Sequence, residues 1–312
     1  MKLLKSLFAA ALLMLSGQAL AQEKTLTLML DWFVNPNHGP IIIAQEKGFF
    51  AEQGLKVEIQ EPADPSVPSK LVAAGRVDMA ISYQPNFIID VEAGLPLVWT
   101  GTLLATPLNT LSVLDNGKIK TLADLKGKTV GVAVSGSDEK IISKMLQSEG
   151  IKFSDVKIVN VGWALSTSLA SGRVDAIWGG MRNFESHQLE LEGFKAKSFF
   201  PEEHGIPPYD ELMYVVNAKN HDADAIARFN KALELATQYI INHPEAAWKE
   251  FVAYNPDTLN NELNHRAWND TLTRFALRPS AENVERYDDY AKFMHELGII
   301  KTVPNKDIYF IH

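Results

Sequence analysis

There is no cysteine in the 312 residues. That absence excludes disulfide staples, thiolate zinc sites, iron–sulfur clusters and a cysteine nucleophile, so any chemistry falls to His, Asp, Glu, Arg and aromatic side chains. Positive charge is scarce too: 30 Lys and Arg stand against 38 Asp and Glu, a formal charge of -8. Such a surface repels nucleic acid and anionic lipid, and neither is an expected partner. The eight histidines are scattered and the acids lack calcium-loop spacing, so no metal is expected. A nucleotide-binding loop and a Gly-x-Ser-x-Gly elbow are also missing, and no cofactor is expected. Beyond the amino terminus no apolar run approaches the roughly 18 to 20 residues that span a bilayer. Yet 46% of residues are hydrophobic and 22% charged, the balance of a folded chain of one large domain or two medium ones.

What is present begins with Met1 to Ala21: Lys2 and Lys5, an apolar run from Leu7 to Leu15, then Ser16-Gly17-Gln18 and the small-residue pattern Ala19-Leu20-Ala21. This reads as a cleavable signal peptide, with a buried amino-terminal helix as the alternative. No Cys stands near the cleavage site to carry a lipid, so the mature product is expected free in an exported compartment, most simply a bacterial periplasm.

Strand and helix then alternate. Thr25 to Leu30 is a β-rich run, followed by a loop dense in turn formers from Asp31 to Pro40. Ile41 to Phe50 reads as a short helix ending at Gly48 or just beyond, Gly54 to Ile59 as a strand, Ser69 to Ala74 as a helix, Asp78 to Ser82 as a strand, Phe87 to Ala93 as a helix and Leu97 to Leu104 as a strand. A second α/β block runs from Leu122 through the strand Thr129 to Val134, the helix Glu139 to Glu149, the strand Val156 to Val161, the helix Ser166 to Ser171 and the strand Asp175 to Gly179. The two blocks share a phrase: Val72 to Ala80 and Leu169 to Ile177 align without a gap around Gly-Arg-Val-Asp. Each is a helix stopped by Gly and led by an Arg–Asp bracket into a core strand. Either helix–Gly–strand joints converge on such words, or the two lobes are built on one plan.

After the strand Glu211 to Asn217 the chain is almost wholly helical, with a packing stripe at Ile226, Phe229, Leu233, Ala236 and Ile240. A helical tail without its own sheet has to pack on something, and the first lobe is the natural support. The expected organisation is lobe I from 22–111 and 217–312 and lobe II from 112–216. The chain would cross near Leu111 to Leu114 and return near Leu212 to Asn217. Two crossings make a hinge, and a hinge between two α/β lobes makes a cleft that closes on a small ligand.

Over most of the mature chain the sequence resembles periplasmic solute-binding proteins of importers for thiamine pyrimidine precursors, which are related to the eukaryotic enzymes that make that pyrimidine. The resemblance rests on Asp31-Trp32 with Asn35, Asn37 and His38, on Ala44 to Phe50, Tyr83-Gln84-Pro85, Pro107 to Leu111, Trp178-Gly179-Gly180, Asn183-Phe184-Glu185 and Tyr209 to Leu212. It implies an α/β, two-lobed periplasmic binding protein (type II) fold, an ABC permease as partner, and a monomeric receptor. In such proteins the pyrimidine lies between aromatic faces while a second-lobe carboxylate binds its amidine edge. Carried over, Trp32 supplies a face and Glu185 the carboxylate, although a Trp can be a core plug and a Glu a solvated helix residue. The family commonly has two adjacent aromatics where this chain has Met181-Arg182, and Arg182 could stack on the ring or grip an anionic substituent. That departure suggests an altered, acidic relative of the pyrimidine, or another flat heterocycle. The same architecture serves sulfonate, nitrate and flavin importers.

Further candidate contacts lie in loops that end core strands: Asp31, Asn37, His38, Tyr83, Gln84, Asn109 near the first crossing, and Trp163 as a second aromatic face. Ser135-Gly136-Ser137 is either an anion or carbonyl cradle at a helix start or a routine cap. Trp178, inside a strand, reads as core. The related synthases, as the resemblance implies, use a cysteine-rich segment and consume their own cofactor and His; without Cys that chemistry cannot run as known. A lone His38 in a polar loop reads as a hydrogen-bonding residue sooner than a base, so no catalytic residue is expected.

Overall fold

The computed structural model describes residues 23–133 and 138–310. The expected leader and the Ser135-Gly136-Ser137 turn lie outside the described residues. Ten strands form two mixed sheets. The first holds β1 (Lys24–Met29), β2 (Leu55–Gln60), β3 (Met79–Ser82), β4 (Leu97–Leu104) and β10 (Leu212–Asn217), in the order β2-β1-β3-β10-β4. The second holds β5 (Asn109–Leu114), β6 (Thr129–Val132), β7 (Lys157–Asn160), β8 (Ala176–Met181) and β9 (Ala196–Phe199), in the order β7-β6-β8-β5-β9. In each sheet the fourth strand in space, β10 or β5, runs antiparallel to both its neighbours. It is in each case the strand that enters directly from the other sheet.

The two sheets therefore share one plan, and the repeated phrase occupies equivalent places. Helix α3 (Pro68–Ala73) and helix α6 (Leu165–Ala170) precede β3 and β8. Gly75 at φ 65° and Gly172 at φ 72° make the left-handed turn between helix and strand, a conformation that costs glycine little. Asp78 then accepts at 2.8 Å from both the backbone N–H and the hydroxyl of Thr27 on β1. Asp175 accepts from the N–H of Thr129 on β6 at 2.9 Å. In both lobes the aspartate ties the third strand in space to the second.

The strand partnerships correct the expected crossings. Residues 109–111 already pair with β8, and 212–216 already pair with β3 and β4. The chain therefore crosses at 105–108 and returns through 200–211. A short strand beside a Pro-rich turn and one interrupted by charge, β5 and β9, carried too weak a periodicity to be read as strands. The helix expected over Ile41 to Phe50 is two helices, α1 (Gly39–Glu46) and α2 (Phe49–Glu52), because Gly48 takes φ 75° between them. Helices α4 (Gln84–Glu92), α5 (Asp138–Gln147) and α7 (Glu185–Leu191) complete the set that precedes the tail.

The tail packs on the first lobe, as its stripe requires. Helix α8 (Ala223–Asn242) starts where Asp222 accepts from Ala225 N–H at 3.0 Å, a cap worth about 1 kcal/mol. Ile226, Phe229, Leu233, Ala236 and Ile240 are all buried, with Phe229 stacked on Phe50 at 5.3 Å. Asn230 of this helix donates to Thr100 O at 2.6 Å, and Gly101 leaves it room: a Cβ there would lie 2.6 Å from Asn230 Oδ1. Helices α9 (Pro244–Tyr254), α10 (Pro256–Leu259), α11 (Glu262–Thr271) and α12 (Val284–Glu296) follow. Helix α11 also faces α7 across the lobes, where His187 meets Asp270 at 2.7 Å and Arg266 meets Glu190 at 3.2 Å. Among the described residues no helix is long and apolar enough to cross a membrane.

Candidate functional site

The first wall of the cleft grows from the end of β1. Asn35 stops the chain from continuing as a strand: its Oδ1 accepts from Asn37 N–H at 2.9 Å and caps the short turn Pro36–His38. The Asn35 N–H in turn donates to His38 Nδ1 at 3.2 Å, which requires the imidazole proton to sit on Nε2. Nε2 lies 2.9 Å from Asp31 Oδ1, and Tyr83 OH donates to Asp31 Oδ2 at 2.8 Å. Asp31 is thus a buried carboxylate with both oxygens engaged, one by His38 and one by Tyr83.

The opposite wall is the end of β8 and the start of α7. Glu185 folds back so that Oε2 accepts from Met181 N–H at 2.6 Å. Gly180 makes this possible, since a Cβ there would lie 3.4 Å from Glu185 Cβ and 3.3 Å from Ile177. Desolvation raises the Glu185 pKa from 4.5 to about 7, only partly opposed by backbone N–H donors. Among the described residues no side chain donates to it and no cation pairs with it. Asn109 braces the same strand end, accepting from Gly179 N–H at 2.9 Å through Oδ1.

The hinge supplies the floor. Glu211, on the returning crossing, accepts from Leu108 N–H at 2.5 Å and Asn109 N–H at 3.0 Å on the outgoing one. One carboxylate thereby clamps both crossings, and burial raises its pKa. Tyr209 lies beside it. Next door, buried Asp210 accepts from Thr102 Oγ1 at 2.9 Å and pairs with Arg286.

These three parts line a cleft whose empty space, open solvent included, is about 850 Å³. Of the residues expected at a site, Asp31, Trp32, Asn37, Tyr83, Asn109 and Glu185 line it. Asn37 also bridges the lobes, donating to Met181 Sδ at 3.0 Å and accepting from Asn183 at 2.6 Å.

Four others are placed elsewhere. His38 is fully buried behind Asp31. Gln84 is also fully buried and spends its Oε1 on Asp210 N–H at 2.8 Å, tying α4 to the hinge. Trp163 packs edge-on against Trp32 with centroids 4.1 Å apart, too close to admit a ring between them, so it backs Trp32 instead of forming the second face. Arg182 turns out of the cavity: it grips Glu202 through two bonds of 2.6 and 3.0 Å and lies 4.3 Å over the Phe200 ring. It pins the end of β8 to the hinge, and the expected grip on an acidic substituent has no support in its placement.

Reading the sequence missed Tyr209, Glu211, Met181 and Phe184 as lining residues, and it placed Trp178 in the core without the cavity that it also borders. The signal for the first two was the Tyr209-Asp210-Glu211 run at the second crossing, where acids enter directly into a core strand.

The family described as NMT1/THI5 like matches residues 35–247, which include the second wall, the hinge and the first wall from Asn35 onward, while Asp31 and Trp32 lie just before the matched range. The chain belongs to this family. A Haemophilus influenzae relative, whose name assigns it to thiamine biosynthesis, is 49% identical over 92% of this chain and 91% of its own. The formylaminopyrimidine-binding protein of Halalkalibacterium halodurans is 32% identical over 80% of this chain and 76% of its own. A Saccharomyces cerevisiae 4-amino-5-hydroxymethyl-2-methylpyrimidine phosphate synthase is 30% identical over 84% and 79%. Among solved structures, the alkanesulfonate-binding protein of Xanthomonas axonopodis superposes with a TM-score of 0.70 at 16% identity, over 92% of this chain and 96% of that one. The fold of this family member is accordingly that of the two-lobed periplasmic binding proteins.

Proposed function

We propose that this protein is the solute-binding subunit of an ABC importer, and that it closes its lobes over a thiamine pyrimidine precursor or a close heterocyclic relative. The observation that carries the reading is Glu185, a carboxylate withdrawn from water in an aromatic interlobe cavity, with no side-chain partner of its own. A 4-aminopyrimidine offers it an exocyclic N–H donor beside a ring nitrogen, and hydrogen bonds to a charged group are worth about 1.5–3 kcal/mol. Trp32, with Trp163 behind it, presents a rigid face for the ring, worth about 1 kcal/mol beyond area burial. The formylaminopyrimidine-binding relative supports the ligand class.

Contacts across the cleft, Asn37 to Asn183 and Trp32 to Trp163, belong to a closed arrangement; ligand held by both walls would favour it over an open one. Closure changes the outer shape that a permease reads. Export through the leader and delivery by a free monomer follow from the same reading. No covalent step is part of it: the chain has no cysteine, and His38 behind the cavity has both ring nitrogens engaged.

Native mass spectrometry of protein taken directly from the cell should show a co-purified pyrimidine by mass. Calorimetry with purified aminopyrimidines should give 1:1 binding that Glu185→Gln weakens about 10- to 100-fold. If no pyrimidine binds, or if Glu185→Gln leaves binding unchanged, the reading fails. Conversion of a pyridoxal compound to pyrimidine by this chain would replace it with the synthase reading.

A further inference from the structure

The lining of the cavity is acidic. Three carboxylates line it, Asp31, Glu185 and Glu211, and no Lys, Arg or His does so among the described residues. The charged groups nearby are committed elsewhere. Arg182 faces away to Glu202, Arg286 pairs with Asp210, and His38 holds its single imidazole proton on Nε2 toward Asp31. Both oxygens of Asp31 are taken by His38 and Tyr83, neither of them a Lys or Arg.

We propose that the cavity selects a ligand carrying positive charge, a pyrimidine with a free alkylamine arm, over neutral and anionic relatives. The proposal rests on the interlobe pyrimidine reading above and adds the substituent class. A primary alkylamine is protonated at pH 7, and in a site shielded from water its attraction to several carboxylates is screened far less than at the surface. A phosphate or sulfonate brings the opposite charge to the same carboxylates. The raised pKa of Glu185 agrees with this, because that group is desolvated without a counter-ion that a cationic guest would supply; burial raises Glu211 as well, although Arg182 and the Tyr209 hydroxyl partly oppose it. The inference separates this chain from its sulfonate-binding structural neighbour and from an expectation of an acidic substituent.

The test is calorimetry on the unmodified protein at pH 7.5 with three probes that share one ring. They are 4-amino-5-hydroxymethyl-2-methylpyrimidine, its phosphate, which is the product named for the yeast relative, and the counterpart with aminomethyl in place of hydroxymethyl. The expected order is aminomethyl tighter than hydroxymethyl by at least about tenfold, and no detectable phosphate binding. Hydroxymethyl binding as tightly as aminomethyl, or phosphate binding within about tenfold of either, overturns the charge selection and leaves the pyrimidine reading intact. Failure of all three probes overturns both.

Discussion

Replacing Glu185 by Gln should move stability and binding in opposite directions. The carboxyl is held at about 7 in the folded chain against 4.5 when unfolded. Below pH 4.5 the group is neutral in both states, and nothing is lost. Between 4.5 and 7 the unfolded chain ionises while the folded one resists, so stability falls as pH rises; above 7 both are ionised and the penalty levels off. The full span corresponds to roughly 3 kcal/mol, an upper value because the side chain is reached by solvent through the cavity mouth. Glutamine keeps an oxygen for the Met181 N–H and carries no charge, so it escapes the penalty. In thermal unfolding without ligand, Glu185→Gln and the parent should melt together at pH 4.5, and the variant should lead by about 5 °C at pH 8. Other buried acids titrate alike in both proteins and cancel in the difference. The same variant should bind its pyrimidine 10- to 100-fold more weakly. A melting gap that does not change with pH would show that Glu185 ionises freely in the folded protein. The argument for its being held apart for a ligand would then collapse.

Four further outcomes follow from the geometry. Asp31→Ala leaves the His38 Nε2–H and the Tyr83 hydroxyl without their acceptor in a buried site, and should lower stability by about 2–4 kcal/mol in urea unfolding. Trp32→Ala should weaken ligand binding about tenfold while leaving the melting temperature within about 2 °C, since the side chain is half-buried on the cavity wall. Arg182→Ala removes the Glu202 pair and the Phe200 contact; it should cost about 1–2 kcal/mol of stability and leave the ranking of ligands unchanged in competition binding. Gly101→Ala would drive a Cβ to 2.6 Å from Asn230 Oδ1 and 3.3 Å from Pro279 O, and should destabilise by at least about 2 kcal/mol, measured by denaturant midpoint.

Much of the architecture was legible because it is written in local signals. Apolar runs of strand length, a helical stripe from Ile226 to Ile240, Asp222 as a cap, and the glycines that end α3 and α6 each determine a nearby piece of backbone through its own conformational and burial energetics. The repeat around Gly75 and Gly172 carried a longer-range message, because its aspartates reach back to the neighbouring parallel strand, β1 or β6. The candidate residues of the β1 loop, Asp31, Trp32 and Asn37, were also readable, since polar and aromatic residues concentrated in a turn have no packing reason to be there.

What the sequence could not determine was direction and partnership. Arg182 and Glu185 are three residues apart, yet one side chain turns to the hinge and the other to the cavity, and that choice depends on Glu202 and Phe200, contributed by the returning crossing. Trp163 and Trp32 are both aromatic residues of strand-end loops, but whether a ring fits between them depends on how two lobes meet. Glu211 became a clamp only because the two crossings run side by side. Residue types and spacing set which local structures form; the charge of the cavity, and which groups are left free to meet a ligand, arise only when segments far apart in the chain are brought together and satisfy one another's hydrogen bonds.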